Sequence, residues 1–157
     1  MEVRDYDPGD SDAVVALSLR AWAPVFASLE GVLGGLFARL HPDWRADQER
    51  AVREACAEPG MRVWVAQTAG AVAGFAAARL DRSADLGELY MIAVDPAHQR
   101  RGAASLLTDR ALSWMRENGV RTAMVEAGGD PGHEPARRAY EKAGFVPLPV
   151  VRYFREP

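Results

Sequence analysis

The stretch that most constrains this chain is Leu86 to Asn118. Nine almost unbroken apolar residues, Leu86 to Val94, run into a short basic loop and then an amphipathic segment. An apolar run of that length, holding Val, Ile and Tyr and interrupted by only one carboxylate, Glu88, reads as a strand buried on both faces. Asp95-Pro96 closes it, because proline has no N–H to give a ladder. After His98-Gln99-Arg100-Arg101, Gly102 opens a helix with its apolar stripe at Ala104, Leu107, Ala111, Trp114 and Met115. Asn118-Gly119 ends that helix. A buried strand therefore delivers a basic loop to a helix amino terminus, whose first N–H groups lack internal partners and carry the positive end of the helix dipole. Small residues at Gly102, Ala103 and Ala104, with Ser105 behind them, leave room for an anion to reach those N–H groups.

Neither GxxxxGK[ST] nor GxGxxG occurs in the chain, so P-loop and dinucleotide fingerprints are excluded. What stands at the loop is Gln99-x-x-Gly102-x-Ala104, after Val94-Asp95-Pro96. A second element follows: His133-x-x-Ala136-x-x-x-Tyr140-Glu-Lys-Ala-Gly144-Phe145. Together they resemble the Q/R-x-x-G-x-G/A signature and the N-x-x-A-x-x-x-Y-E-K-x-G-F helix of the GNAT N-acetyltransferase family. The resemblance covers nearly the whole chain and is weakest from Phe26 to Gly60. It implies the GNAT acyl-CoA N-acyltransferase fold, a mixed central β-sheet flanked by helices. It also implies acetyl-CoA as acyl donor, with the acyl-pantetheine arm pairing with main chain at Ile92, Ala93 and Val94. The donor's phosphates would lie against Gln99, Arg100, Arg101, Gly102, Ala103, Ala104 and Ser105. His133 stands where the family has Asn, beside Ala136 and Tyr140 on the other side of the donor.

The remaining sequence fits one domain over residues 1–157. The order is a strand at Glu2–Tyr6, three helices, a hairpin (Arg62–Gln67 and Val72–Leu80), the central strand and its helix, a strand at Thr122–Glu126 and a helix at Glu134–Ala143. Two last strands are expected, from Phe145 and over Val150–Phe154. Pro24 is expected to bend or end the first helix, and a separate one to span Ser28–Leu40. A net charge of −3 argues against a nucleic-acid platform. One of the 19 basic residues is Lys142 and the other 18 are Arg, a bias that weakens any single Arg as evidence. The single cysteine, Cys56, excludes an intramolecular disulfide, and Arg137 breaks an H-E-x-x-H reading of His133-Glu134, so no metal is expected. No apolar run is read as long enough to span a membrane, and the first residues lack an apolar signal segment. The expectation is a cytoplasmic protein with no membrane or nucleic-acid partner. Dimers are frequent in the family, so a homodimer is one open oligomeric state.

Moving an acetyl group from a thioester to an amine needs a neutral amine, a donor for the developing oxyanion and a proton for the leaving thiolate. Glu88 is the candidate base. Its apolar strand should raise a carboxyl pKa, and it lies eleven residues before Gln99, the offset of the base glutamate in the histone-acetylating branch. Tyr140 is the candidate acid, matching the family tyrosine in spacing. Trp22, Phe26, Phe37 and Trp44 are read as core or as a roof over the acceptor, with Tyr90, Arg152 and Tyr153 lining it from strands. The expected acceptor is a primary amine of a small molecule. A protein N-terminal or lysine amine, and an acyl-CoA-binding regulatory module without turnover, are the alternatives.

Overall fold

A computed structural model describes residues 1–157. Its elements are β1 (Glu2–Asp5), α1 (Ser11–Leu33), α2 (Phe37–Leu40), α3 (Trp44–Ala57), β2 (Arg62–Thr68), β3 (Ala71–Asp81), β4 (Leu86–Val94), α4 (Ala103–Glu117), β5 (Thr122–Val125) and α5 (Glu134–Lys142). The strands lie in the order β1-β2-β3-β4-β5, antiparallel except for the parallel β4–β5 pair. That is the mixed, helix-flanked sheet expected from the sequence.

Alternation along the strands supplies both faces of the sheet. Trp64, Ala66, Ala76, Ala78 and Leu89 pack against Ala103, Leu107, Ala111 and Met115 of α4. Val63, Val65, Phe75, Ala77 and Ala93 pack against Val14, Val15 and Leu17 of α1 and Val52 of α3. Small alanines on β3 let the helices come close. Gly87 does the same on β4, where an added Cβ would stand 2.6 Å from Met115. Leu107 and Met115 are almost completely buried, each worth about 1.5–3 kcal/mol of transfer energy. Truncating Leu107 to alanine would cost about 2–5 kcal/mol. The buried stripe of α4 is Ala103, Leu107, Thr108, Ala111 and Met115, so it begins one residue before the expected Ala104.

Several expectations need correction. Pro24 lies inside α1, which continues to Leu33 and stops where Gly34 takes φ 55°. Proline removes one intrahelical bond there, but packing of the first turns on the sheet holds the axis. The stretch Pro8–Leu40 is thus long and apolar enough, by length and composition, to cross a membrane. The sequence reading missed this because it cut the helix at Pro24. Here its Val14, Val15 and Leu17 are buried in the core. β4 is not buried on both faces, since Tyr90 is exposed. The two last strands are absent: residues 146–157 form no regular element. Pro147 and Pro149 lack ladder donors, and Val146, Leu148, Val150 and Tyr153 are each at least 80% exposed.

Candidate active site

Three structural devices stand along β4 and the elements beside it. The first is the loop into α4. The Asp95 carboxylate accepts from Ala97 N at 2.9 Å and from the Arg20 guanidinium of α1. Burial works to raise this carboxyl, but Arg20 and the Ala97 N–H outweigh it and hold it below the ordinary aspartate value. Gln99 Nε2 donates to Val94 O at 3.3 Å, tying the loop back to its strand. Arg100 and Gly102 both take left-handed backbone, φ 60° and 86°. A left-handed arginine is strained, and such residues cluster at ligand-binding loops. The turn leaves Gln99, Arg100, Arg101 and Gly102 exposed around the free N–H groups of Ala103, Ala104 and Ser105, a cradle suited to phosphate. Beside it, a shallow cleft of about 190 Å³ runs between Ala104, Ser105 and Asp109 of α4 and Ala139 and Lys142 of α5.

The second device is a splay in the sheet. β4 pairs with β5 only from Leu86↔Thr122 to Leu89↔Val125. On its other edge β4 stays with β3 as far as Gly74↔Val94, with a register shift that leaves Tyr90 as the extra residue between Ala78↔Leu89 and Ala77↔Met91. Beyond Leu89, the main chain of Ile92, Ala93 and Val94 faces a gap on the β5 side. An extended, amide-bearing ligand can add there as a strand would.

The third device is a pair of titratable side chains, Glu88 on the paired part of β4 opposite Met124 and Tyr140 on α5. Glu88 sits on β4 directly opposite Arg79 of β3, and its Oε2 accepts from Arg79 Nε at 2.6 Å. The expectation of a carboxyl alone among apolar neighbours is therefore corrected. The Arg79 guanidinium, pushed above its ordinary value by this bond, also lies over the Tyr90 ring at 4.5 Å. A register-dependent cross-strand pair of this kind is invisible until the hairpin register is known. Tyr140 on α5 packs against the α4-side core and edge-on to Phe145, with ring centroids 6.0 Å apart. Burial pushes its phenol up to about 12, so it keeps its proton at neutral pH. His133 caps the amino terminus of α5, and Ala136 and Tyr140 follow it in the helix at intervals of three and four.

The predicted roof divides in two. Trp22 packs on the core ring of Phe75, 6.5 Å between centroids. Phe26 stacks on Trp44 at 4.4 Å and meets Phe37 and His41 edge-on. The sequence reading did not include His41. Arg152 and Tyr153, expected to line the acceptor side from a strand, lie in the exposed tail instead. No group of three or more His, Cys, Asp or Glu side chains is placed to hold a metal ion.

Comparison with known proteins bears on the family and the fold. The profile described as "Acetyltransferase (GNAT) family" matches residues 30–145. A mycothiol acetyltransferase from Thermobispora bispora is 28% identical over 99% of this chain, which corresponds to 50% of that protein. The chain thus spans about half the length of this curated relative. Among solved structures, the aminoglycoside acetyltransferase AAC(6')-Iy bound to the bisubstrate analogue CoA-S-monomethyl-acetylneamine has a TM-score of 0.68 at 20% identity, covering 99% of this chain and 97% of that one. The ribosomal-protein-S18-alanine N-acetyltransferase of Escherichia coli also gives 0.68 at 20% identity, over 94% and 79%. At these identities the two structures bear on the fold alone.

Proposed function

Because the chain belongs to the GNAT acetyltransferase family, we propose that it carries the acetyl group of acetyl-CoA directly to a primary amine, in a ternary complex and without a metal. The observation that carries this reading is the left-handed Arg100–Gly102 loop at the mouth of the β4–β5 splay. One end suits a pyrophosphate and the other an extended thioester arm. In this reading Gln99, Arg100, Arg101, Gly102, Ala103, Ala104 and Ser105 hold the phosphates. The main chain at Ile92, Ala93 and Val94 pairs with the pantetheine, and an unpaired N–H of that edge steadies the thioester oxygen as it gains charge. Ala136 and His133 border the arm from α5.

Glu88 receives the amine. Arg79 occupies Oε2, and Oε1 takes the ammonium and then its proton. Tyr140 donates a hydrogen bond to the departing sulfur, with a phenol that burial keeps protonated. A small-molecule acceptor is favoured by the names of the mycothiol relative and of the AAC(6')-Iy complex. The S18-alanine neighbour keeps a protein amine as the second reading. The test is thiol release from acetyl-CoA across amino sugars, polyamines and peptides with free N-terminal or lysine amines. Turnover with amino sugars or polyamines supports the first reading, and turnover with peptides alone supports the second. Tight acetyl-CoA binding without release in any arm would leave a binding module and remove the enzyme.

A further inference from the structure

The loop that follows β5 holds a polar cluster that shares no residue with the loop into α4. Asp130 Oδ1 bonds His133 Nδ1, and Asp130 Oδ2 accepts from Ser28 Oγ of α1 at 2.7 Å and from Gly132 N at 3.0 Å. Ser28 Oγ in turn accepts from Gly132 N at 2.9 Å. Arg137 donates to Gly128 O and Asp130 O, fastening the loop to α5. Two glycines are required by close approach. A Cβ on Gly128 would lie 2.5 Å from Asp130 Oδ1 and 2.6 Å from His133 Nδ1, and one on Gly132 would lie 2.6 Å from Ser28 Cβ. The Asp130 side chain is 6% exposed and that of His133 21%.

This wiring fixes a tautomer. Burial opposes the Asp130 charge, but Ser28 and His133 hold the carboxyl below its ordinary value, so it is ionised and can only accept. His133 Nδ1 must then carry the proton it gives to Asp130. In the neutral ring, Nε2, on the far side, then carries the lone pair. A carboxylate orienting an imidazole in this way makes a base of it.

We propose that His133 Nε2 is a second proton acceptor for acetyl transfer, with Asp130 and Ser28 as its positioning residues. The proposal rests on the acetyl-transfer reading and follows from its proton balance. An alkylammonium and acetyl-CoA give an amide, a thiol and one free proton. The nitrogen loses two protons and the sulfur gains one. Glu88 takes the first proton, which frees the lone pair to attack the thioester carbon. As the C–N bond is completed and the C–S bond breaks, the nitrogen's second proton passes to His133 Nε2 and the thiolate takes one from Tyr140. Solvent then recovers the protons from Glu88 and His133 and returns one to Tyr140. His133 caps the amino terminus of α5, seven positions before Tyr140, so in the acetyl-transfer reading both groups border the donor arm. The charged groups at this turn are Asp130, bonded to the imidazole, Arg137, which donates to Gly128 O and Asp130 O, and Glu134, paired to Arg138 at 2.5 Å. The α1 residues that meet the turn, Val25 and Ser28, carry no charge.

The first measurement needs no turnover. The chain has only three histidines, so long-range 15N–1H spectra of the imidazoles can be assigned by loss of one signal in His133→Asn. The expected wild-type result is a single Nδ1–H tautomer for His133 at neutral pH, lost in Asp130→Asn. An Nε2–H tautomer in the wild type overturns the proposal, whether or not any amine is acetylated. The second measurement is the pH profile of kcat/KM with the best acceptor. His133→Asn restores the family's usual residue and should keep acetyl-CoA affinity within about threefold. It should lower kcat about 10²–10⁴-fold, the range for a positioned acid or base, and remove one ionisation from the profile. His133→Gln guards against a folding defect, checked by its melting curve. An unchanged rate and profile in either folded variant overturns the proposal.

Discussion

The donor cradle can be tested through Gly102, where two separate costs can be told apart. Its φ of 86° lies in left-handed backbone, and a Cβ built there meets nothing within 4 Å. In the free protein, Gly102→Ala therefore introduces no clash and costs only the backbone penalty, roughly 1–2 kcal/mol. For a chain of this size that lowers Tm by roughly 2–8 °C. Gly102→Val adds a branched side chain in the same open space, over the N–H groups of Ala103 and Ala104. If a pyrophosphate belongs there, the valine displaces one or two charge-assisted bonds worth about 1.5–3 kcal/mol each. That is a loss of roughly ten- to a hundredfold in acetyl-CoA affinity per bond. Gly119, at φ 77° and equally open, is the control: Gly119→Ala should show the same thermal loss with no change in binding. Calorimetric titration with acetyl-CoA and a melting curve on each variant give both quantities. A Gly102→Val protein that is folded and binds acetyl-CoA as tightly as wild type refutes the cradle.

Further outcomes follow from the side chains at the splay. Glu88→Gln should leave acetyl-CoA affinity unchanged and lower kcat/KM for the amine about 10²–10⁴-fold; a pH–rate profile that does not change removes Glu88 from proton transfer, and a raised amine KM with intact kcat makes it only an ammonium site. Tyr140→Phe should keep donor affinity and lower kcat, because the ring still packs and only the proton is lost; kcat within twofold of wild type makes Tyr140 structural. Asp95, held below its ordinary value when folded, contributes stability that is present above its unfolded pKa and is lost as pH falls through the folded one. Asp95→Asn should therefore cost about 1–2 kcal/mol at pH 7, discounted for a half-exposed Arg20, and less below about pH 4; urea melts showing a pH-independent difference contradict this.

The elements proposed to position the donor were legible because each carries a local signal. An apolar run ended by Asp-Pro, a glycine before an amphipathic stripe, and the spacing of His133, Ala136 and Tyr140 all act within a few residues. What was missed depends on pairings that exist only in the folded chain. The Arg79–Glu88 pair exists only once β3 and β4 have a register. The hydrogen bonds from Ser28 to Asp130 and from Arg20 to Asp95 join residues 102 and 75 positions apart. Pro24 misled because local propensity marks a break, whereas the packed first turns of α1 carry the helix through it. The tail misled in the opposite direction: Val150 to Phe154 has strand composition, but a strand also needs a neighbour to pair with.

α1 touches both banks of the splay, through Arg20 to Asp95 after β4 and through Ser28 to Asp130 after β5. Eight residues of helix separate the two attachments, about 12 Å at 1.5 Å per residue. The helix thus works as a gauge block, since the banks cannot move apart without stretching or bending it. If the donor arm lies in the gap as proposed, room for an acyl group longer than acetyl comes from side chains there, not from a wider gap. In the acetyl-transfer reading, the first thirty residues then bear on donor chain length, far in sequence from the signature proposed to bind CoA. The single joint in the gauge is Pro24, midway between the attachments, where the helix lacks its bond to the Arg20 carbonyl.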